Sequence, residues 1–308
     1  MTDLLRDIIA RNRGGETVAI ASICSAHPDV LRAAMLLSQE CDQPLLIEAT
    51  SNQVNQDGGY TGMTPANFIG FVHDLAAQTR IDPARIIFGG DHLGPQAWKA
   101  QSAKDAMENA RAMVAQYVTA GFTKIHLDCS EGCAGEPAQL DDKLVTARAA
   151  DLAQVCEHHA PDPDAISYVI GTEVPVPGGA RTHDVHAVNP TTPRDAIATM
   201  DAHLQVFGSQ PDLAGAKNRI VGLVVQPGVE FGALSVDHLP TDQNPDLRAV
   251  LNNYPLLAFE AHSTDYQHPG AYPQLADMGF AIQKVGPALT FAFRQAVYGL
   301  DVLATILK

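Results

Sequence analysis

Eight times along this chain a short β-branched or apolar run is followed by a longer segment with helical spacing. No other feature constrains the fold as tightly, because alternating strands and helices is how βα units build a parallel sheet. The runs predict strands at Thr17–Cys24, Pro44–Thr50, Arg85–Asp91, Phe122–Asp128, Ile166–Glu173, Arg219–Gln226, Leu256–Glu260 and Phe280–Val285. Between them, Thr64-Pro65 reads as an N-cap with proline at the first helical position, and Phe68, Phe71, Val72 and Leu75 then share one face. Ser102 opens a second helix that Gly121 stops. Further helices are expected at Pro28–Glu40, Asp142–His159, Pro193–Phe207, Pro245–Asn253, Gly270–Met278 and from Pro287 to the end.

Eight such units in 308 residues, against roughly 250 typical of the fold, predict one (β/α)8 barrel, a TIM barrel, as a single domain over residues 1–308. An open doubly wound sheet is the second choice. It lacks support, since no GxGxxG follows the first strand and no GxxxxGK[ST] occurs, so no nucleotide is expected. Lys+Arg of 20 against Asp+Glu of 35 gives a net charge of −15, which argues against nucleic acid or an anionic membrane surface as a partner. A small anionic substrate stays open, because a few local donors suffice to bind it. Five cysteines in a long chain do not suggest a disulfide scaffold, and Cys129 and Cys133, spaced CxxxC without a second pair, do not suggest a structural zinc site. With no signal-peptide core near the start and no apolar run approaching the roughly 20 residues of a membrane span, a cytoplasmic protein is expected.

In barrels of this kind chemistry sits where strands end. Asp91-His92, after Ile86-Ile87-Phe88, sets a carboxylate beside an imidazole. The pair offers a general base and a metal ligand, or else a capping Asp beside a hydrogen-bonded His. His262 follows another apolar run, and with Glu173 and Glu260 these residues predict a divalent-metal site, zinc first and manganese compatible. Asp91 and Glu173 are the candidates for proton transfer. Glu48, Asn52, Asp128, Gln226 and Lys284 stand at or just after strand ends and are expected to face substrate. Gly286-Pro287 looks like the start of the last helix, so Ser263, Thr264 and the backbone at Gly286 and Ala288 form a phosphate candidate, with plain capping the alternative.

The strings SAHPDVLRAAM, LIEATSNQVNQDGGYTGMTP, GGDHLGP, IHLDCS, YVIGTEVPVPGG, VVQPGVEF, EAHSTDYQ and KVGPALTFAFR resemble the GatZ/KbaZ family from about residue 5 to about 300. That resemblance implies a class II aldolase-like barrel acting as the non-catalytic partner of a zinc-dependent D-tagatose-1,6-bisphosphate aldolase subunit. Many relatives carry the name tagatose-6-phosphate kinase. GGDHLGP is similar to the aldolase string whose Asp is the acid/base and whose next residue is a zinc His, which passes those roles to Asp91 and His92. EAHS is similar to the aldolase HGAS and makes His262 a second ligand. Gly286 stands where the aldolases have a substrate-binding Asn, and Gln226 stands where they have a third zinc histidine. The family usually continues well past the eighth helix, so its C-terminal extension is expected to be absent.

Three functions follow. The first is an accessory subunit that supports a catalytic class II aldolase subunit and retains a sugar-phosphate and metal site. The second is a metal-dependent ketose or ketose-phosphate aldolase or epimerase acting alone, which the clustered strand-end acids and imidazoles support. A kinase is weakest, since no phosphate loop is visible. A homo-oligomer is left open.

Overall fold

A computed structural model describes residues 3–171, 188–240 and 246–307. In chain order it holds α1 (Leu4–Arg13), β1 (Ile20–Ile23), α2 (Pro28–Glu40), β2 (Leu45–Thr50), α3 (Pro65–Thr79), β3 (Ile86–Leu93), α4 (Ala103–Ala120) and β4 (Lys124–Leu127). It continues with α5 (Asp142–His159), β5 (Ser167–Ile170), α6 (Pro193–Ser209), α7 (Ala214–Lys217), β6 (Ile220–Val224), β7 (Glu230–Phe231) and β8 (Val236–Asp237). The last elements are β9 (Ala258–Ala261), α8 (Ala271–Asp277), β10 (Phe280–Val285) and α9 (Pro287–Ile306).

Eight parallel strands close in the order β1-β10-β9-β6-β5-β4-β3-β2, and β7 and β8 form a separate antiparallel ribbon. The chain is therefore a (β/α)8 barrel, as the alternation of runs predicts. Local chemistry sets the helix starts. Thr64 and Asn67 form a reciprocal capping box, Ser102 accepts from Asp105 N–H, and Gly121 ends α4 in the left-handed region.

The apolar core has two layers. The larger lies between strands and helices and includes Leu31, Phe68, Tyr117 and Phe259. The smaller fills the barrel floor, where Leu5, Ile8 and Ile9 of α1 meet Leu46, Val169, Val221 and Ile282.

α1 is not foreseen in the sequence reading. Its polar residues serve the fold: Arg6 donates to Ser167 Oγ and Ile166 O, and buried Asn12 donates to Val18 O and Ala276 O. Most strands are shorter than expected, by up to three residues at a terminus within the described chain. A 3-10 turn at Arg248–Asn253 replaces the helix expected from Pro245, a residue outside the described segments. No helix among the described residues is long and apolar enough to cross a membrane.

Candidate active site

On a strand, residues two apart share a face. Lys124, His126 and Asp128 therefore all point inward from β4 and its end, as Glu260 and His262 do from β9. Asp91 and His92 are adjacent, so a regular strand would send them to opposite faces. Two features turn both inward: the β3–β4 register shifts between Gly90 and Leu93, and His92 takes a positive φ of 46°. Gly94 lets β3 run hard against β4, because a Cβ there would lie 1.8 Å from Asp128 O.

One ligand atom from each of Asp91, His92, His126 and His262 lies within 4.8 Å of all the others. The outer nitrogens of two rings are spoken for. His92 Nδ1 is 2.8 Å from Asp128 Oδ2, and His126 Nε2 is 2.9 Å from Gly171 O. A carbonyl only accepts, so His126 Nε2 carries the proton. Burial, only partly offset by Asp91, lowers the pKa of His126 and keeps the ring neutral. Its Nδ1 lone pair then accepts from His92 N–H at 3.2 Å and lies 3.1 Å from Asp91 Oδ1. An imidazole lone pair and a carboxylate oxygen so close form a donor set for a cation, and an outer N–H held by a carbonyl or carboxylate is the usual support for a metal-binding His. His262 Nε2 lies 2.9 Å from both Glu260 Oε1 and Lys284 Nζ.

Beneath this cluster lies a layer of buried charge. Lys124 Nζ sits 2.5 Å from Glu48 Oε1 and 2.8 Å from Glu260 Oε2, with all three side chains fully buried. Burial disfavours the Lys124 charge, but Glu260 and Glu48 outweigh it and raise the lysine's pKa. Burial also lifts Glu48 to about 7 despite Lys124 beside it. Asp91 contacts Lys284 Nζ. Burial pushes the Asp91 carboxyl upward, yet His92 and Lys284 overcome this and hold it well below the ordinary carboxylate range. For His92, burial works against charge, but Asp91 and Asp128 prevail and raise its pKa.

Above the cluster opens a cavity of about 460 Å³, lined by Gln53, His92, His262, Ser263, Asp265 and Lys284 among others. Of the expected site residues, the structure brings Asp91, His92, His262, Glu260, Glu48 and Lys284 together. Several others take different positions. Glu173 lies outside the described residues. Asn52 is exposed, and its neighbour Gln53 lines the cavity instead. Thr264 is fully buried and its hydroxyl donates to Lys284 O, while Asp128 is occupied with His92, Gln96 and Ser130. At the start of α9, Asp265 Oδ1 accepts from both Gly286 N–H and Ala288 N–H, so a carboxylate already fills the expected phosphate cradle. Gln226 Oε1 accepts from Gly228 and Val229 N–H and builds its own turn.

Choosing among strand ends notes His126 at the end of the fourth strand without giving it a role, and misses Lys124 altogether. The third imidazole comes from β4 rather than from the sixth barrel strand, and the i, i+2, i+4 spacing of Lys124, His126 and Asp128 is the signal that could have shown it.

The chain is 49% identical to the crystal structure of a probable tagatose 6 phosphate kinase from Sinorhizobium meliloti 1021, with a TM-score of 0.85 over 94% of this chain and 70% of that one. It is 50% identical to a D-tagatose 6-phosphate 4-epimerase of Agrobacterium fabrum, over 99% of this chain and 72% of the relative. At 14% identity, a fructose-bisphosphate aldolase from Campylobacter jejuni shares the fold, with a TM-score of 0.61 over 97% of this chain and 80% of the aldolase. Residues 5–308 match the family described as D-tagatose-1,6-bisphosphate aldolase subunit GatZ/KbaZ-like, and the chain belongs to that family.

Proposed function

We propose that this chain is a metal-dependent epimerase that interconverts a ketose 6-phosphate and its C4 epimer, tagatose 6-phosphate and fructose 6-phosphate being the first pair to test. The observation that carries the reading is the convergence of three imidazoles and Asp91 on one point, with the outer nitrogens of His92 and His126 fixed by Asp128 and Gly171. The 50% identical epimerase supports the reaction class. His92, His126 and His262 would hold a divalent ion, zinc by donor type, which supplies Lewis-acid polarisation of a carbonyl when bound.

The chain's own residues do the rest. Asp91, kept ionised by its cationic neighbours, accepts the proton of the C4 hydroxyl as the C3–C4 bond breaks and its electron pair stays with C3. The aldehyde formed at C4 turns its other face, C3 adds back, and Asp91 returns the proton to O4. Lys284 places a positive charge beside the reacting oxygens. Asp128 and Glu260 hold the imidazoles in orientation.

The family description favours a second reading, in which the chain is an accessory subunit of a class II aldolase. One assay separates the two. Metal-analysed protein is given tagatose 6-phosphate alone, then with a class II tagatose-bisphosphate aldolase subunit. The epimerase reading expects conversion by the chain alone at rates ordinary for enzymes, roughly 1 to 10³ per second. It also expects Asp91→Asn to lower that rate about 10² to 10⁴-fold with the fold intact. No conversion alone, together with stimulation of the aldolase that survives Asp91→Asn, would leave the subunit reading standing.

A further inference from the structure

The start of α9 is shaped to hold an anion, and the chain fills it with one of its own. Gly286 precedes the helix and Pro287 opens it, so the N–H groups of Gly286 and Ala288 have no partner inside the helix. The positive end of a 20-residue helix adds to their pull on a negative group. Both donate to Asp265 Oδ1, at 3.1 and 2.7 Å, and Asp265 is buried. The cradle is held in place from behind, since Gly286 packs so tightly on Cys24 O that an added Cβ would lie 2.8 Å from it.

This carboxylate belongs to the same cavity as the imidazole cluster. Asp265, Gly286, Pro287 and Thr290 line one side of the space of about 460 Å³ that also takes in His92, His262 and Lys284. Glu230 lies close enough for its charge to act on Asp265 and makes this end more negative still. Lys284 is the one lysine or arginine among the described residues lining the cavity, and it contacts Asp91. A carboxylate has more acceptor sites than two N–H groups fill, so Asp265 can still accept from a hydroxyl. A phosphate brought to the same place meets a like charge with no cation left to offset it.

We propose that Asp265 sets substrate choice, making the α9 end of the cavity a seat for an uncharged hydroxyl end of the sugar and refusing a phosphate there. The inference rests on the epimerase reading and narrows it to ketoses with a single phosphate. A ketose 1,6-bisphosphate carries a phosphate at each end, so either orientation brings one of them against Asp265. A 6-phosphate can turn its free C1 hydroxymethyl group to Asp265 and leave its phosphate towards the mouth. Discrimination then comes from a repulsive element set against the wrong ligand rather than from a closer fit to the right one.

Calorimetric titration of the zinc-loaded chain with fructose 6-phosphate and with fructose 1,6-bisphosphate tests the proposal. The wild type is expected to bind the monophosphate at least about tenfold more tightly. Asp265→Asn keeps an oxygen for the Gly286 and Ala288 N–H groups but loses the charge, and Asp265→Ser empties most of the cradle. Each should cut the preference at least about tenfold through tighter binding of the bisphosphate, with circular dichroism unchanged. Equal affinities in the wild type, or a preference that neither variant moves, would overturn the proposal. Binding is read without turnover, so either of those results leaves the epimerase reading standing, whereas binding of neither sugar would remove that reading and this one with it.

Discussion

At the barrel mouth Lys124, Glu48, Asp91 and Glu260 lie out of reach of water, whereas on α9 leucines, valines and an isoleucine stand in it. Charge inside and hydrocarbon outside both reverse the ordinary partition of side chains. The reversals are held differently. Inside, each charge is offset within the chain: Lys124 answers Glu48 and Glu260, and Lys284 answers Asp91. Outside, the first turns of α9 lean on His27 and Tyr266, but nothing in the described chain covers Leu300, Leu303 or Ile306. The first region is internally balanced, so disturbing it should unfold or disarm the protein. The second is unbalanced, so disturbing it should change only what the protein associates with.

Removing the central cation gives the sharpest break. Lys124→Met leaves two buried carboxylates facing each other, and loss of one partner in a buried ion pair costs about 3–5 kcal/mol. Denaturant unfolding above pH 7 should show a loss of that size, against almost none for Leu300→Glu. A comparable loss at both sites would erase the distinction.

Glu48 gives a pH signature. Its folded pKa, lifted to about 7 by burial, exceeds the ordinary carboxylate value of the unfolded chain. Between those values the folded state holds the extra proton, so stability falls as pH rises through that window, by no more than about 1.4 kcal/mol per pH unit. Glu48→Gln should remove this slope. Parallel slopes for wild type and variant would show that the carboxyl does not titrate there.

Smaller effects are expected at the proposed metal ligands. His126→Gln should weaken zinc binding by at least 10 to 100-fold, the range seen even for outer-shell changes, as read by competition with a chelator. Gln226→His restores the histidine of the aldolase pattern, yet it should give no gain in affinity, because Gln226 is committed to the turn at Gly228 and Val229. Tighter zinc binding by Gln226→His would move the metal to the sixth barrel strand and undo the assignment of His126.

The barrel was readable because period and punctuation agree: β10 and α5 lie where the pattern puts them, to the residue. α1 went unread although its signal is present. Leu5, Ile8 and Ile9 repeat at helical spacing after the N-cap Asp3, but charges at a chain start invite a solvent reading, and only the barrel floor shows what Arg6 and Asn12 bond. At the mouth, Asp91, His92 and His262 could be found because acids and imidazoles that end apolar strands are conspicuous. Lys124 could not, since a lysine in a strand usually means an outward face, and its two carboxylates arrive from β2 and β9, more than seventy residues away on either side. Asp265 at the start of α9 was hidden for the same reason: capping from a neighbouring loop leaves no local trace.

The bend that turns Asp91 and His92 inward also bears on redesign. Their shared orientation is carried by a shifted register, a left-handed backbone at His92 and a glycine two residues later, not by the two side chains. Copying the Asp-His pair onto a regular strand of another barrel would send the imidazole out among the helices. Whoever transplants this chemistry has to move the path of the main chain from Gly89 to Gly94, and the side chains will follow.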